Sequence, residues 1–217
     1  ELEITASFPL GNEIDLADID WQATGRLTNF SDSNPIMGHT VRKSDVALEA
    51  NKDQVAITGK GILDGLQADI DLVVPLGESG VAARQDVVVA LNAKQLKEKG
   101  VDLTAFLQGN MTLSVAKVSD GQEFVIDLKQ TDVRLQALGW QKAKGVPATA
   151  SFKLVETDTQ RRVKDFKLVS EGVDVAGSMQ LSMAGDLVSA SFNTFKLRPG
   201  DNVEVDIQKA TDGRYDI

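Results

Sequence analysis

Hydrophobic residues recur at every second position along most of this chain. Phe166 and Leu168 alternate with Asp165 and Lys167. After Ser170-Glu171-Gly172, the residues Val173, Val175, Gly177, Met179, Leu181 and Met183 alternate with Asp174, Ala176, Ser178, Gln180 and Ser182. Ala184-Gly185-Asp186 then turns the chain, and residues 187–197 return. A period of two is that of a strand with one apolar and one wet face.

The same texture predicts further strands. Leu2, Ile4, Ala6 and Phe8 form a run stopped by Pro9, and residues 14–29 suggest one or two strands with a register shift near Asp18. Val46, Leu48 and Ala50 lead through Asn51-Lys52-Asp53 into Val55, Ile57 and Gly59. Ala68, Ile70 and Leu72 make another, and Val87, Val89 and Leu91 the next. Met111, Leu113 and Val115 face Phe124, Ile126 and Leu128 across Ser119-Asp120-Gly121-Gln122, where Asp-Gly between alternating runs is a strong hairpin signal. Val133 and Leu135, then Ala148, Ala150, Phe152 and Leu154, and finally Val203, Val205 and Ile207 complete the series, with Asp212-Gly213 as a last turn.

Between these runs, residues 30–40 have loop chemistry in Ser31-Asp32-Ser33-Asn34-Pro35 and Gly38, and residues 77–84 read as a second loop. Helical spacing occurs only near residues 93–108. Two short helices are expected there, at 93–98 and 102–108, with Asp102 as N-cap and Gly109 as stop. The spacing Val55-x-Ile57-x-Gly59-x-x-x-Leu63 reappears as Val173-x-Val175-x-Gly177-x-x-x-Leu181, a weak internal repeat.

About a dozen antiparallel strands are implied, which at about 4.8 Å each would make a sheet roughly 60 Å wide. The fold class is therefore all-β with one or two short helices. The chain is expected to be one β-rich fragment of a longer protein over residues 1–217, with sub-units at 1–76 and 85–217. The apolar face could line a sandwich core, close as a barrel, or curl into an open trough, since all three demand the same alternation.

Composition narrows the function classes. Of the 217 residues 42% are hydrophobic, 25% charged and only 5% aromatic, so the apolar face should be largely aliphatic. A net charge of −9 repels nucleic-acid backbones and anionic headgroups, while leaving contact with uncharged acyl chains open. The absence of cysteine excludes disulfides and thiolate metal sites. No apolar run of about 18 residues spans a bilayer. The chain opens at Glu1 without methionine and stops at Ile217, and both ends are expected to be cuts from a longer protein.

Candidate chemistry is thin. His39 is the single histidine and has no G-x-S-x-G elbow to serve. Asp15, Asp18, Asp20, Asp69 and Asp71 invite an acid/base or metal reading, but in strands the spacing by two puts Asp18 with Asp20, and Asp69 with Asp71, on a solvated face opposite Ile19, Ile70 and Leu72. Gly59-Lys60-Gly61 does not meet a phosphate-loop pattern, Asn110-Met111-Thr112 carries no weight as a glycosylation triplet, and Arg161-Arg162 with Lys164 reads as a solvated basic cluster. No enzyme, cofactor or metal is expected.

One stretch is distinctive. Leu138-Gly139-Trp140-Gln141-Lys142-Ala143-Lys144-Gly145, the strand Ala148-Thr149-Ala150-Ser151-Phe152, and the later Gly172-Val173-x-Val175-x-Gly177 resemble the AsmA-like family of proteobacterial envelope proteins, in particular its large YhdP-like branch. Asp212-Gly213-Arg214-Tyr215 resembles the strand leading into that family's next segment. The resemblance covers residues 91–217 well and the earlier ones in general texture. It implies a long, curved antiparallel sheet forming a groove or half-barrel, held in the periplasm by an inner-membrane anchor outside this segment. It also implies phospholipid carriage between the membranes and offers no catalytic residues. The groove-lining candidates are Met111, Leu113, Val115, Phe124, Ile126, Leu128, Phe166, Leu168, Val173, Val175, Met179 and Leu181. The alternative is a closed β-sandwich serving as a structural or protein-interaction module of the envelope.

Overall fold

In a computed structural model the described residues are 1–7, 19–36, 39–136, 139–198, 200–201, 203–210 and 212–216. Sixteen strands and one helix form among them. In chain order they are β1 (Leu2–Ser7), β2 (Asp20–Ile36), β3 (His39–Asn51), β4 (Gln54–Leu63), β5 (Leu66–Pro75), β6 (Arg84–Asn92), α1 (Ala93–Glu98), β7 (Leu107–Val118), β8 (Gly121–Asp127), β9 (Thr131–Leu135), β10 (Trp140–Lys142), β11 (Ala148–Glu156), β12 (Gln160–Ser170), β13 (Val173–Ser182), β14 (Leu187–Lys196), β15 (Val203–Lys209) and β16 (Tyr215–Asp216). The expected all-β class with antiparallel pairing is what forms, and the sheet is not closed into a barrel. The chain divides into two compact units, Glu1–Val89 and Ala90–Ile217, with the boundary inside β6.

In the first unit each strand lies beside the next in sequence, from β1 to β6. Tight turns explain this order. Asn51 Oδ1 accepts from the amides of Asp53 and Gln54, pinning the β3–β4 turn. Asp64 and Gly65, both at positive φ (49° and 85°), make the β4–β5 turn. Asp64 also accepts from the Thr40 amide and hydroxyl, which staples this turn to the start of β3.

Residues 30–36, expected to be loop, instead continue β2, and β3 begins at His39. Bulges reconcile the two readings. Asn29 (φ 52°) and Lys43 (φ 46°) are left-handed residues at register slips, one in each strand. Their amides are satisfied by side chains, Asn29 by Asp45 Oδ1 at 2.8 Å and Lys43 by Ser31 Oγ at 3.0 Å. Ser31, one of the residues that look like turn chemistry, thus serves a bulge. Phe8, Pro9 and residues 14–18, including the expected shift near Asp18, lie outside the described residues.

In the second unit the order is β7-β8-β11-β12-β13-β14-β15-β16, with β9 and β10 as a side excursion. β7 pairs β9 through Leu107–Gly109 and β8 from Thr112 onward. The expected hairpin forms with Ser119 and Asp120 as its two turn residues, since Val118 pairs Gly121.

Of the two expected helices only α1 forms. Asn92 caps it, accepting from the amides of Lys94 and Gln95, while the Gln95 side chain accepts from the Asn92 amide. The segment expected as a helix at 102–108 is a single turn running straight into β7. Gly109 is no helix stop: it sits in β7 at φ 111°, where a Cβ would stand 2.6 Å from the Gln130 carbonyl oxygen. A side chain there would prevent β9 from approaching.

Asp102 holds that turn. Hydrogen bonds from the Thr104 hydroxyl, from Lys97 and from the Thr104 amide lower its carboxyl from 3.8 to about 2. Because the folded value lies below the unfolded one, this stabilisation is complete above the ordinary carboxylate range and is lost as pH falls toward the folded value. The Thr104 amide resonance is therefore expected to titrate with a midpoint near about 2, where an unheld carboxylate would give 3.8.

Candidate functional site

Alternation places most apolar side chains of each unit on one sheet face, and register decides which of them meet. In the second unit Leu113, Ile126, Ala150, Leu168, Val175, Phe195 and Val203 stand opposite one another in turn from β7 to β15. Directly opposed residues project to the same face. Seven adjacent strands make this apolar row about 29 Å long. Beside it run Phe166, Gly177, Phe192 and Val205, and then Leu154, Val163, Met179, Ala190 and Ile207. A bulge at Asp165 (φ 52°), whose carboxylate pairs with Lys153, keeps Val163 and Phe166 on this face although they are three residues apart.

All twelve groove-lining candidates are in this unit. Met111, Leu128, Val173 and Val175 are buried; Leu113, Val115, Phe124, Ile126, Phe166, Leu168, Met179 and Leu181 are half-buried. Met183 falls beyond β13 and is exposed. The sequence reading placed Phe124 and Phe166 on this face but did not single out Phe192 and Phe195, nor the ring contacts they make. Phe124 stacks on Phe152 at 5.0 Å, Phe166 meets Phe192 edge-on at 6.1 Å across Gly177, and Phe192 lies 5.8 Å from Phe195. Phenylalanine spacing in Phe152, Phe192 and Phe195 was the signal that could have found them.

The first unit has a concave apolar region that the sequence did not single out. A cavity of about 240 Å³ is lined by side chains from β2 to β6, among them Leu27, Val46, Ile57, Ile70 and Leu72. Register again explains the convergence: Leu27 faces Val46, Val46 faces Gly59, Gly59 faces Ile70, and Ile57 faces Leu72. Ser44, almost wholly buried at its edge, donates its hydroxyl to the Arg42 carbonyl at 3.1 Å.

Three of the polar candidates are held in ion pairs. Asp20, Asp69 and Asp71 form exposed ion pairs with Lys52, Lys60 and Arg84, and Asp15 and Asp18 lie outside the described residues, as does the His39 side chain. Arg161 pairs with Glu156 and Lys164 with Asp120, both from β12 rather than a loop. Among the described residues no group of three or more His, Cys, Asp or Glu could hold a metal ion, and no helix is long and apolar enough to cross a membrane.

The distinctive Leu138–Gly145 stretch centres on a buried cation. Lys142 is 4% exposed, and its ammonium donates to the carbonyls of Thr131 (2.7 Å), Ala143 (3.1 Å) and Val146 (3.0 Å). Burial pushes its pKa below the ordinary lysine value, and the charges of Asp132 and Asp127 partly offset this. All three ammonium protons are spent on backbone, so the lysine is a structural clamp.

No family model matches the chain, and neither a curated protein nor a solved structure matches it. What defines it is an open antiparallel β fold with apolar sheet faces and ion-paired polar ones.

Proposed function

We propose that the chain is a periplasmic segment of an AsmA-like envelope protein of the YhdP-like branch, whose apolar sheet faces bind or conduct phospholipid acyl chains. It catalyses no reaction, needs no cofactor and binds no nucleic acid, and its parent chain is anchored in the inner membrane outside this segment. The observation that carries the reading is the apolar row from Leu113 to Val203, in which Leu113, Ile126, Leu168 and Phe195 are half-buried and Val203 is exposed.

Length and chemistry support it. One leaflet of a bilayer offers an acyl chain about 15 Å of hydrocarbon, half of the ~30 Å core, so a row of about 29 Å accommodates a chain with room to shift along it. Each methylene withdrawn from water onto such a face contributes about 0.8 kcal/mol. The alternative of a closed sandwich would put Leu113, Ile126 and Leu168 out of reach of solvent, and their partial exposure favours the open reading.

The test is mass spectrometry of lipid extracted from the purified chain, compared with Ile126→Asp and Leu168→Asp. A carboxylate in the apolar row is expected to remove most co-purifying phospholipid while leaving the circular dichroism of the sheet unchanged. Lipid-free wild-type protein, or variants that keep their full lipid load, would contradict the proposal.

A further inference from the structure

We propose that the cavity of the first unit is a single-chain site, which seats the end of one acyl chain and is indifferent to the headgroup that chain carries. The inference rests on the acyl-binding reading above and adds what the cavity selects.

Size sets the first limit. A volume of about 240 Å³ lies below the ~300–1,000 Å³ of sites that enclose a drug-sized ligand. A second tail or a glycerophosphate group must remain outside. Chemistry sets the second. The Ser44 hydroxyl is already given to the Arg42 carbonyl, Gln85 is neutral, and no cation is among the described lining residues. Lys60 and Arg84 are held by Asp69 (3.1 Å) and Asp71 (2.7 Å). Arg26 pairs in register with Ala47, and Arg42 with Ile62, which puts both arginines on the face opposite Leu27, Val46 and Leu63. An anionic headgroup therefore finds no counter-charge in the cavity, and the part of the ligand that enters it is uncharged.

The experiment uses the whole chain and displacement of a fluorescent fatty acid below micellar concentrations. Competitors are palmitate, the palmitoyl lyso forms of phosphatidylglycerol and phosphatidylethanolamine, and a dipalmitoyl phospholipid. All are expected to compete within about threefold of one another, a difference of less than 1 kcal/mol. Ile57→Phe, which fills the cavity, is expected to weaken each at least about tenfold, and Thr58→Phe on the opposite face to weaken none. Leu72→Phe replaces Ile57→Phe if thermal unfolding shows that variant to be misfolded. A headgroup or second-tail preference above about tenfold, or palmitate binding untouched by cavity filling, would overturn the single-chain site and leave the broader acyl reading standing. Failure of every acyl competitor to displace the probe would overturn both.

Discussion

Replacing Lys142 by methionine is expected to destabilise the second unit by about 2–5 kcal/mol, since each carbonyl left without a donor costs about 1–3 kcal/mol, and the variant takes the ammonium from Thr131 and Val146 while the Ala143 carbonyl keeps the Val146 amide. The Thr131 carbonyl begins β9 and those of Ala143 and Val146 lie in the turn after β10, so the ammonium ties the two ends of the excursion through β9 and β10 together. Thr131, wholly buried, adds its own hydroxyl bond to the Asn110 carbonyl. Denaturant unfolding followed by tryptophan fluorescence from Trp140 checks this, because Trp140 lies in β10 beside the clamp. A loss below about 1 kcal/mol, the worth of one ordinary hydrogen bond, would mean that water replaces the ammonium at little cost. The pH dependence has a definite sign. Because the folded pKa is depressed, the unfolded chain holds more protons between that value and 10.5, so stability rises with pH through that window and the methionine variant lacks the slope.

The second large effect is expected at Gly177. A Cβ there would stand 2.1 Å from the Ser191 carbonyl oxygen and 2.7 Å from the Phe192 Cα. Both are backbone atoms of the neighbouring strand, so no side-chain rotation relieves the contact, and β13 and β14 must part. Gly177→Ala is expected to cost roughly 2–4 kcal/mol, at or above the usual range for overpacking. The edge contact of Phe166 with Phe192 should be disturbed as well, since the two rings meet across this glycine. Thermal unfolding gives the first readout and the ring resonances of Phe192 the second. A variant as stable as the parent, with unshifted rings, would contradict the close approach.

The fold was legible wherever alternation ran unbroken. Residues 46–75, 111–128 and 173–182 were read as strands from their period alone, and tight turns between them imposed antiparallel neighbours. Reading failed where the period slips. Asn29, Lys43 and Asp165 each insert one left-handed residue, so the apolar positions on either side are three apart, as Val163 and Phe166 are. In the first unit the slip coincides with Ser31 and Asp32, which made strand look like loop. The helix at Ala93–Glu98 was readable from helical spacing, and the structure adds the capping box of Asn92 and Gln95 that starts it, whereas Asp102 caps only a turn before Gly109 commits the chain to β7.

The candidate site was legible in part. Period places Leu113, Ile126, Leu168 and Val175 on one face, but only register aligns them into one row. The cavity around Gly59 was missed for the same reason: Leu27, Val46, Ile57, Ile70 and Leu72 are ordinary strand residues until pairing brings them together. Gly59 and Gly177, the pair that carried the weak repeat, both sit where a Cβ would collide with a neighbouring backbone, at 2.2 Å and 2.1 Å from a carbonyl oxygen. The lysine of the distinctive stretch could not be recognised as a clamp without the three carbonyls it reaches.

The measurement that tests the central claim most directly is paramagnetic broadening of methyl resonances by a spin-labelled fatty acid. The expected result is that Leu113, Ile126 and Leu168 broaden at low probe concentration while Val125 and Val169 do not. Those two valines are the controls, exposed on the opposite face of the same strands. Equal broadening of both sets, or broadening of neither, would contradict an apolar face that takes up acyl chains.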